Sequence, residues 1–160
     1  MKRYLYESIH RDLKRKMVIL AGPRQVGKTW LARELMSEFR NPQYLNYDHF
    51  DDARIIGAHA WALDADLLVL DEIHKMPGWK MFIKGIYDTR PAGQAILITG
   101  SSRLDTFRQA GESLAGRYFP FRLHPLSVRE LQDSLAPFEA LSLLNRLGGF
   151  PEPFLSGEET

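Results

Sequence analysis

The segment Gly22-Pro23-Arg24-Gln25-Val26-Gly27-Lys28-Thr29 narrows the possible folds of this chain more than any other. It fits G-x-x-x-x-G-K-[ST], the pattern of a phosphate-binding loop. Glycines let the backbone turn until several N–H groups point at one anion, and a following helix adds the positive end of its dipole. Lys28 is placed to reach the β- and γ-phosphates of a nucleotide, and Thr29 to put a hydroxyl on Mg²⁺. The flanks agree. Met17 to Ala21 is an apolar run with the length of a buried strand. Trp30 to Phe39 carries Leu31, Leu35 and Phe39 on one helical face. Strand, loop and helix are the context this motif requires. The expected nucleotide contacts are therefore Gly22, Pro23, Arg24, Gln25, Val26, Gly27, Lys28, Thr29 and Trp30.

The rest of the chain repeats the alternation. Arg3 to Leu13 has the spacing of an amphipathic helix. Gln43 to Tyr47, Leu67 to Asp71, Ala95 to Thr99 and Tyr118 to Leu123 are candidate strands, the last at an edge because Pro120 lacks a ladder donor. Helical patterns start at Trp79 and run over Leu104 to Ala110 and Phe138 to Leu147, and Ser127 with Glu130 makes a capping-box pair. Nearly all-apolar strands separated by helices imply a parallel sheet covered on both faces, with ligands at the carboxyl ends of the strands. At 160 residues with 44% hydrophobic content, one domain with a proper core is expected. Residues 1–150 form it, and 151–160 read as a tail or the start of a further lid.

A second motif lies at a strand end. Leu67-Leu68-Val69-Leu70 precedes Asp71-Glu72, the Walker B arrangement. Asp71 would hold Mg²⁺ opposite Thr29, and Glu72 would orient the attacking water or accept its proton. Successive strand residues point opposite ways, so adjacent acids can serve different roles. After the fourth strand, Ser101 or Ser102 is positioned either to sense the γ-phosphate or to cap a helix. Arg117 is a candidate for stabilising transferring phosphate oxygens, in its own site or a neighbouring subunit's, against a plain salt bridge. Arg24 reads as a phosphate or partner contact. Asp48 reads as an acid behind the metal ligands or as a helix N-cap. His74 has no matching ligand nearby, so no metal beyond Mg²⁺ is expected.

Taken together, GPRQVGKT, LDEIHKMPGW, ILITGSS, LAGR, LHPLSVREL and GGFPEP make the chain resemble the AAA-type P-loop ATPases of bacteria and archaea that are often joined to a C-terminal domain of unknown function. The resemblance implies a three-layer α/β P-loop NTPase sandwich with a parallel five-stranded sheet in the order 5-1-4-3-2. It implies ATP and Mg²⁺ as cofactors. It assigns Lys28, Thr29, Asp71 and Glu72 the roles above, and Ser101 or Ser102 the sensor role. Such relatives continue into a helical lid beyond GGFPEP, whereas this chain stops at Thr160, which implies weak turnover by the isolated core. The base would lie near the first helix, with Tyr4, Leu5 and Ile9 as contacts.

The functional reading is Mg²⁺-dependent ATP binding and hydrolysis coupled to an unidentified protein or nucleic-acid partner, possible as a homo-oligomer. The alternative is a nucleotide switch that binds without turnover, which Glu72 argues against. Asp71-Glu72-Ile73-His74 matches a helicase D-E-x-H pattern, but the second motor domain does not fit in this length. No Asn-Lys-x-Asp motif marks a GTPase, and nothing marks the acceptor pocket of a small-molecule kinase. The net charge of +1 makes no general case for nucleic acid, although Lys2, Arg3, Arg11, Lys14, Arg15 and Lys16 crowd the first helix, most simply as a solvated face. Without cysteine there are no disulfides or thiolate metal sites. There is neither a signal-like N-terminus nor an apolar run near the ~18 residues a membrane span needs, so a cytoplasmic location is expected.

Overall fold

Alternation along β1 (Met17–Ala21) sets up the layers. Val18 and Leu20 point into one apolar cluster, Met17, Ile19 and Ala21 into another, and all are buried. The computed structural model describes residues 2–101 and 114–157. The remaining strands are β2 (Pro42–Asn46), β3 (Leu67–Asp71), β4 (Ala95–Gly100) and β5 (Tyr118–Arg122). They form one five-stranded sheet in the order β2-β3-β4-β1-β5, and every pairing is parallel. This is the predicted order read from the other edge.

Helices α1 (Tyr6–Leu13) and α2 (Lys28–Met36) cover one face through Ile9, Leu13, Leu31 and Leu35. Helices α3 (Phe50–Gly57) and α4 (Trp79–Thr89) cover the other through Ile56, Ile83 and Ile86. The three layers are those of the P-loop NTPase fold. Pro120 lies on edge strand β5, opposite Ile19, where a missing N–H costs no ladder bond. Beyond β5 follow α5 (Val128–Leu131), α6 (Pro137–Leu147) and α7 (Pro151–Ser156). Ser127 and Glu130 make the expected capping box at the start of α5. The helix expected over Leu104 to Ala110 lies outside the described residues.

The Pro- and Glu-rich stretch read as a tail or the start of a further lid is helical over α7, with Pro151 in its first turn, a position that suits proline's fixed φ and missing donor. α7 returns to the loop after β1: Pro151 Cγ lies 3.8 Å from where a Cβ on Gly27 would stand.

The loop after β1 is pinned from the β5 side. Leu123 N–H donates to Ala21 O at 2.8 Å, and a Cβ on Gly22 would stand 2.5 Å from Leu123 O. Gly22→Ala must therefore move backbone, with an expected loss of about 1–3 kcal/mol, measured as a lower urea midpoint with unchanged m-value.

Candidate functional site

The phosphate loop bends where its motif requires. Gln25 (φ 61°) and Gly27 (φ 93°) both take left-handed backbone conformations, and α2 begins at Lys28. Gly27 suits this at no steric cost, while Gln25 carries local strain. The Lys28 ammonium is buried and donates to Gly22 O at 3.0 Å and Pro23 O at 2.6 Å. Burial lowers its pKa from the usual lysine value, with the carboxylates of Glu72 and Asp71 acting in the opposite direction. A phosphate anion beside it would favour the charged form further.

Register brings the second motif opposite the first. Asp71 on β3 pairs with Thr99 on β4, which also pairs with Leu20 on β1. The buried Asp71 carboxylate accepts from Thr29 Oγ1 (3.1 Å) and Tyr44 Oη (2.6 Å) on Oδ2. Its Oδ1 accepts from Thr99 Oγ1 (2.5 Å) and Glu72 N–H (3.0 Å). Tyr44 and Thr99 were missed by sequence reasoning; alignment of parallel strands would have found Thr99, opposite Asp71, whereas Tyr44 stands opposite Val69 and reaches Asp71 by the length of its side chain. Burial, then the bond to Asp71, raises the Tyr44 pKa well above the usual tyrosine value, keeping it a donor. Thr29 and Asp71 supply two hard oxygen donors side by side. That set fits Mg²⁺, which takes one or two protein ligands and completes its shell with phosphate and water. Among the described residues there is no cluster of three or more His, Cys, Asp or Glu residues able to hold another metal.

Glu72 follows in a left-handed conformation (φ 55°) that turns the chain out of the strand into a 3₁₀ turn, Ile73–Lys75. Its Oε2 lies 3.3 Å from Lys75 Nζ and 3.6 Å from His74 Nε2. Ser101 Oγ approaches the same His74 nitrogen at 3.2 Å. Ser102 lies outside the described residues.

Lys28, Thr29, Asp71 and Glu72 open onto a cavity of about 590 Å³, whose lining does not include Ser101, within the size range of small-molecule sites. Arg24, Gln25, Gly27, Lys28, Thr29, Trp30, Asp71 and Glu72 line it, together with Arg3 from the N-terminal segment and Pro151, Glu152 and Leu155 from α7. The last four were not expected. Arg3 belongs to no solvated face. Its side chain is buried, donating Nε to Glu130 Oε1, Nη1 to Val26 O inside the phosphate loop and Nη2 to His124 O, each at 2.6 Å.

A family model described as an AAA domain matches residues 14–132. The chain belongs to the AAA domain family. Uncharacterised proteins of Mycobacterium tuberculosis and Mycobacterium bovis are each 31% identical over 152 residues, 94% of this chain. The chain spans 32% of the length of either. Among solved structures, this AAA domain is similar to the Thermotoga maritima RuvB Holliday junction branch migration motor (TM-score 0.59, 21% identity, 94% of this chain and 56% of that one). It is also similar to a Pyrococcus horikoshii signal transduction ATPase with numerous domains (TM-score 0.53, 18% identity, 94% and 28%). A third is the Aeropyrum pernix ORC1 protein in complex with DNA (TM-score 0.51, 17% identity, 83% and 48%). At these identities the likeness is one of fold.

Within the AAA domain several expected site residues lie elsewhere. Arg117 precedes β5, whose first residue pairs with Met17 at the start of β1. It is therefore at the opposite end of the sheet from the phosphate loop, paired with Asp88 at 2.8 Å. That ion pair is formed, and the geometry does not bring Arg117 to its own cavity. Ile9 and Leu5 pack in the core beside α2, and Tyr4 donates to Arg122 O, so none of the three lines the cavity. Asp48 is not the N-cap of α3, a position taken by His49; it pairs with Lys75. Arg15 and Lys16 lie over the Phe119 ring, each 5.3 Å from its centre. No described helix is long and apolar enough to cross a membrane.

Proposed function

We propose that this AAA domain binds ATP with Mg²⁺ and hydrolyses it to ADP and phosphate, using the work on an unidentified partner. One observation carries the reading: Thr29 Oγ1 stands 3.1 Å from Asp71 Oδ2 on the wall of the cavity that also holds Lys28 and Glu72. The loop N–H groups and the start of α2 cradle the phosphates. Lys28 exchanges its bonds to Gly22 O and Pro23 O for phosphate oxygens. Thr29 and Asp71 would hold Mg²⁺, which would supply neutralisation of the phosphate charge. Tyr44 and Thr99 fix the orientation of the Asp71 carboxylate. Glu72 accepts the proton of the attacking water as its oxygen bonds to the γ-phosphorus. The bond to the bridging oxygen breaks, and ADP leaves with that electron pair. The apolar side of the cavity, with Trp30, Pro151 and Leu155, takes the base.

Arg117, at the far end of the sheet, serves a neighbouring copy in this reading. The test is steady-state ATP hydrolysis with Mg²⁺ over a range of protein concentrations, with Glu72→Gln as the blank. Expected is turnover above the blank whose specific activity rises with concentration. A flat profile removes the shared arginine. Nucleotide binding without turnover above the blank replaces hydrolysis by a binding switch.

A further inference from the structure

Lys75 and His74 approach the same oxygen of Glu72. Lys75 Nζ is 3.3 Å and His74 Nε2 3.6 Å from Oε2. Lys75 is itself held by Asp48, from the turn after β2, and that bond is the main cause of its raised pKa. His74 is held by Ser101 at the end of β4. The Glu72 backbone is fixed as well, its N–H donating to Thr99 O at 2.9 Å and to Asp71 Oδ1 at 3.0 Å. The carboxylate is thus anchored from the ends of β2, β3 and β4 together.

We propose that Lys75, steadied by Asp48, is a positioning residue for Glu72: it grips Oε2 so that Oε1 is presented to the attacking water. This rests on the hydrolysis reading above. A glutamate side chain has three rotatable bonds, and one leaving a left-handed backbone position starts in an uncommon direction. Without a grip it samples orientations in which neither oxygen meets the water. Lys75 N–H donates to Glu72 O at 3.1 Å, and this closed turn brings the lysine back beside the glutamate. Gripping one oxygen leaves the other's lone pairs for the proton.

The test compares Lys75→Met, Lys75→Arg and Asp48→Asn with the wild type in ATP turnover. Loss of the grip is expected to lower kcat by roughly ten- to a hundredfold with KM for ATP unchanged. Lys75→Arg restores most of the rate, and Asp48→Asn gives a smaller loss of the same kind. In parallel, the Tm values of Lys75→Met, Glu72→Gln and the double variant are expected to be non-additive, since the two side chains interact. Wild-type kcat in Lys75→Met, or a rise in KM alone, overturns the positioning role. Additive Tm shifts overturn the pairing itself. No wild-type turnover above the Glu72→Gln blank overturns the hydrolysis reading instead, and the Tm cycle still decides whether the grip exists.

Discussion

Arg3→Met is expected to destabilise the domain by about 3–5 kcal/mol, because it strands Glu130 as a buried charge without its partner. For a chain of this size that lowers Tm by roughly 6–20 °C. The magnitude follows from burial: the Arg3 and Glu130 side chains are 2% and 1% exposed. Glu130 Oε1 also accepts Tyr4 N–H, and Oε2 accepts Ser127 N–H and Oγ, so its acceptor positions are filled by groups from both ends of the chain. A second consequence separates this arginine from an ordinary core contact. Its Nη1 donates to Val26 O, one residue before Gly27, so its loss also loosens the phosphate loop. Calorimetry at a temperature where the variant is folded should find weaker ATP binding. Unchanged affinity in a folded, destabilised variant would confine Arg3 to stability.

Lys28→Ala and Glu72→Gln should fail in opposite ways. Lys28→Ala removes a desolvated cation from the phosphates, and truncating one partner of such a pair costs about 2–5 kcal/mol, or ~30- to ~5000-fold in Kd. Glu72→Gln keeps shape and hydrogen bonding but cannot take a proton. Its Kd should stay close to wild type while kcat falls by about 10²–10⁴. Titration with a fluorescent ATP analogue beside a phosphate-release assay reads both. If Lys28→Ala binds as tightly as wild type, the bent-back ammonium is a structural tether to Gly22 and Pro23 and not a phosphate ligand.

What was legible in the sequence was what depends on local backbone chemistry. A phosphate loop needs its glycines and lysine in one short run, and a buried strand ending in acids is visible as a hydrophobic run that stops. Arg24, Gln25, Gly27, Lys28 and Thr29 of the first motif, the following Trp30, and Asp71 and Glu72 of the second line one cavity, while Gly22, Pro23 and Val26 do not. Partners across the chain were not legible. Arg3 looked like one more cation on a basic helix because Glu130 lies 127 positions away. Thr99 is an unremarkable strand residue until parallel register sets it opposite Asp71, and Tyr44, opposite Val69, reaches the same carboxylate only through its long side chain. Asp48 stood before a helix and suggested a cap, yet the nearest strong attraction was the Lys75 ammonium. The helix after Gly149 did have a signal, proline in its first turn, but the short Pro- and Glu-rich stretch outweighed it. Arg117 was placed by its likeness to a motif, and only strand direction shows which end of the sheet it occupies.

The strand order also governs when the site can exist. β1 carries the phosphate loop, yet its partners in the sheet are β4 and β5, and Arg3 waits for Glu130. Pairings this distant in sequence close late, after much chain entropy has been lost. A ribosome making this protein exposes the nucleotide-binding motif early, but the chain cannot shape it until Leu123 and Glu130 have emerged. The cavity at the phosphate loop is thus among the last parts of the domain to be born.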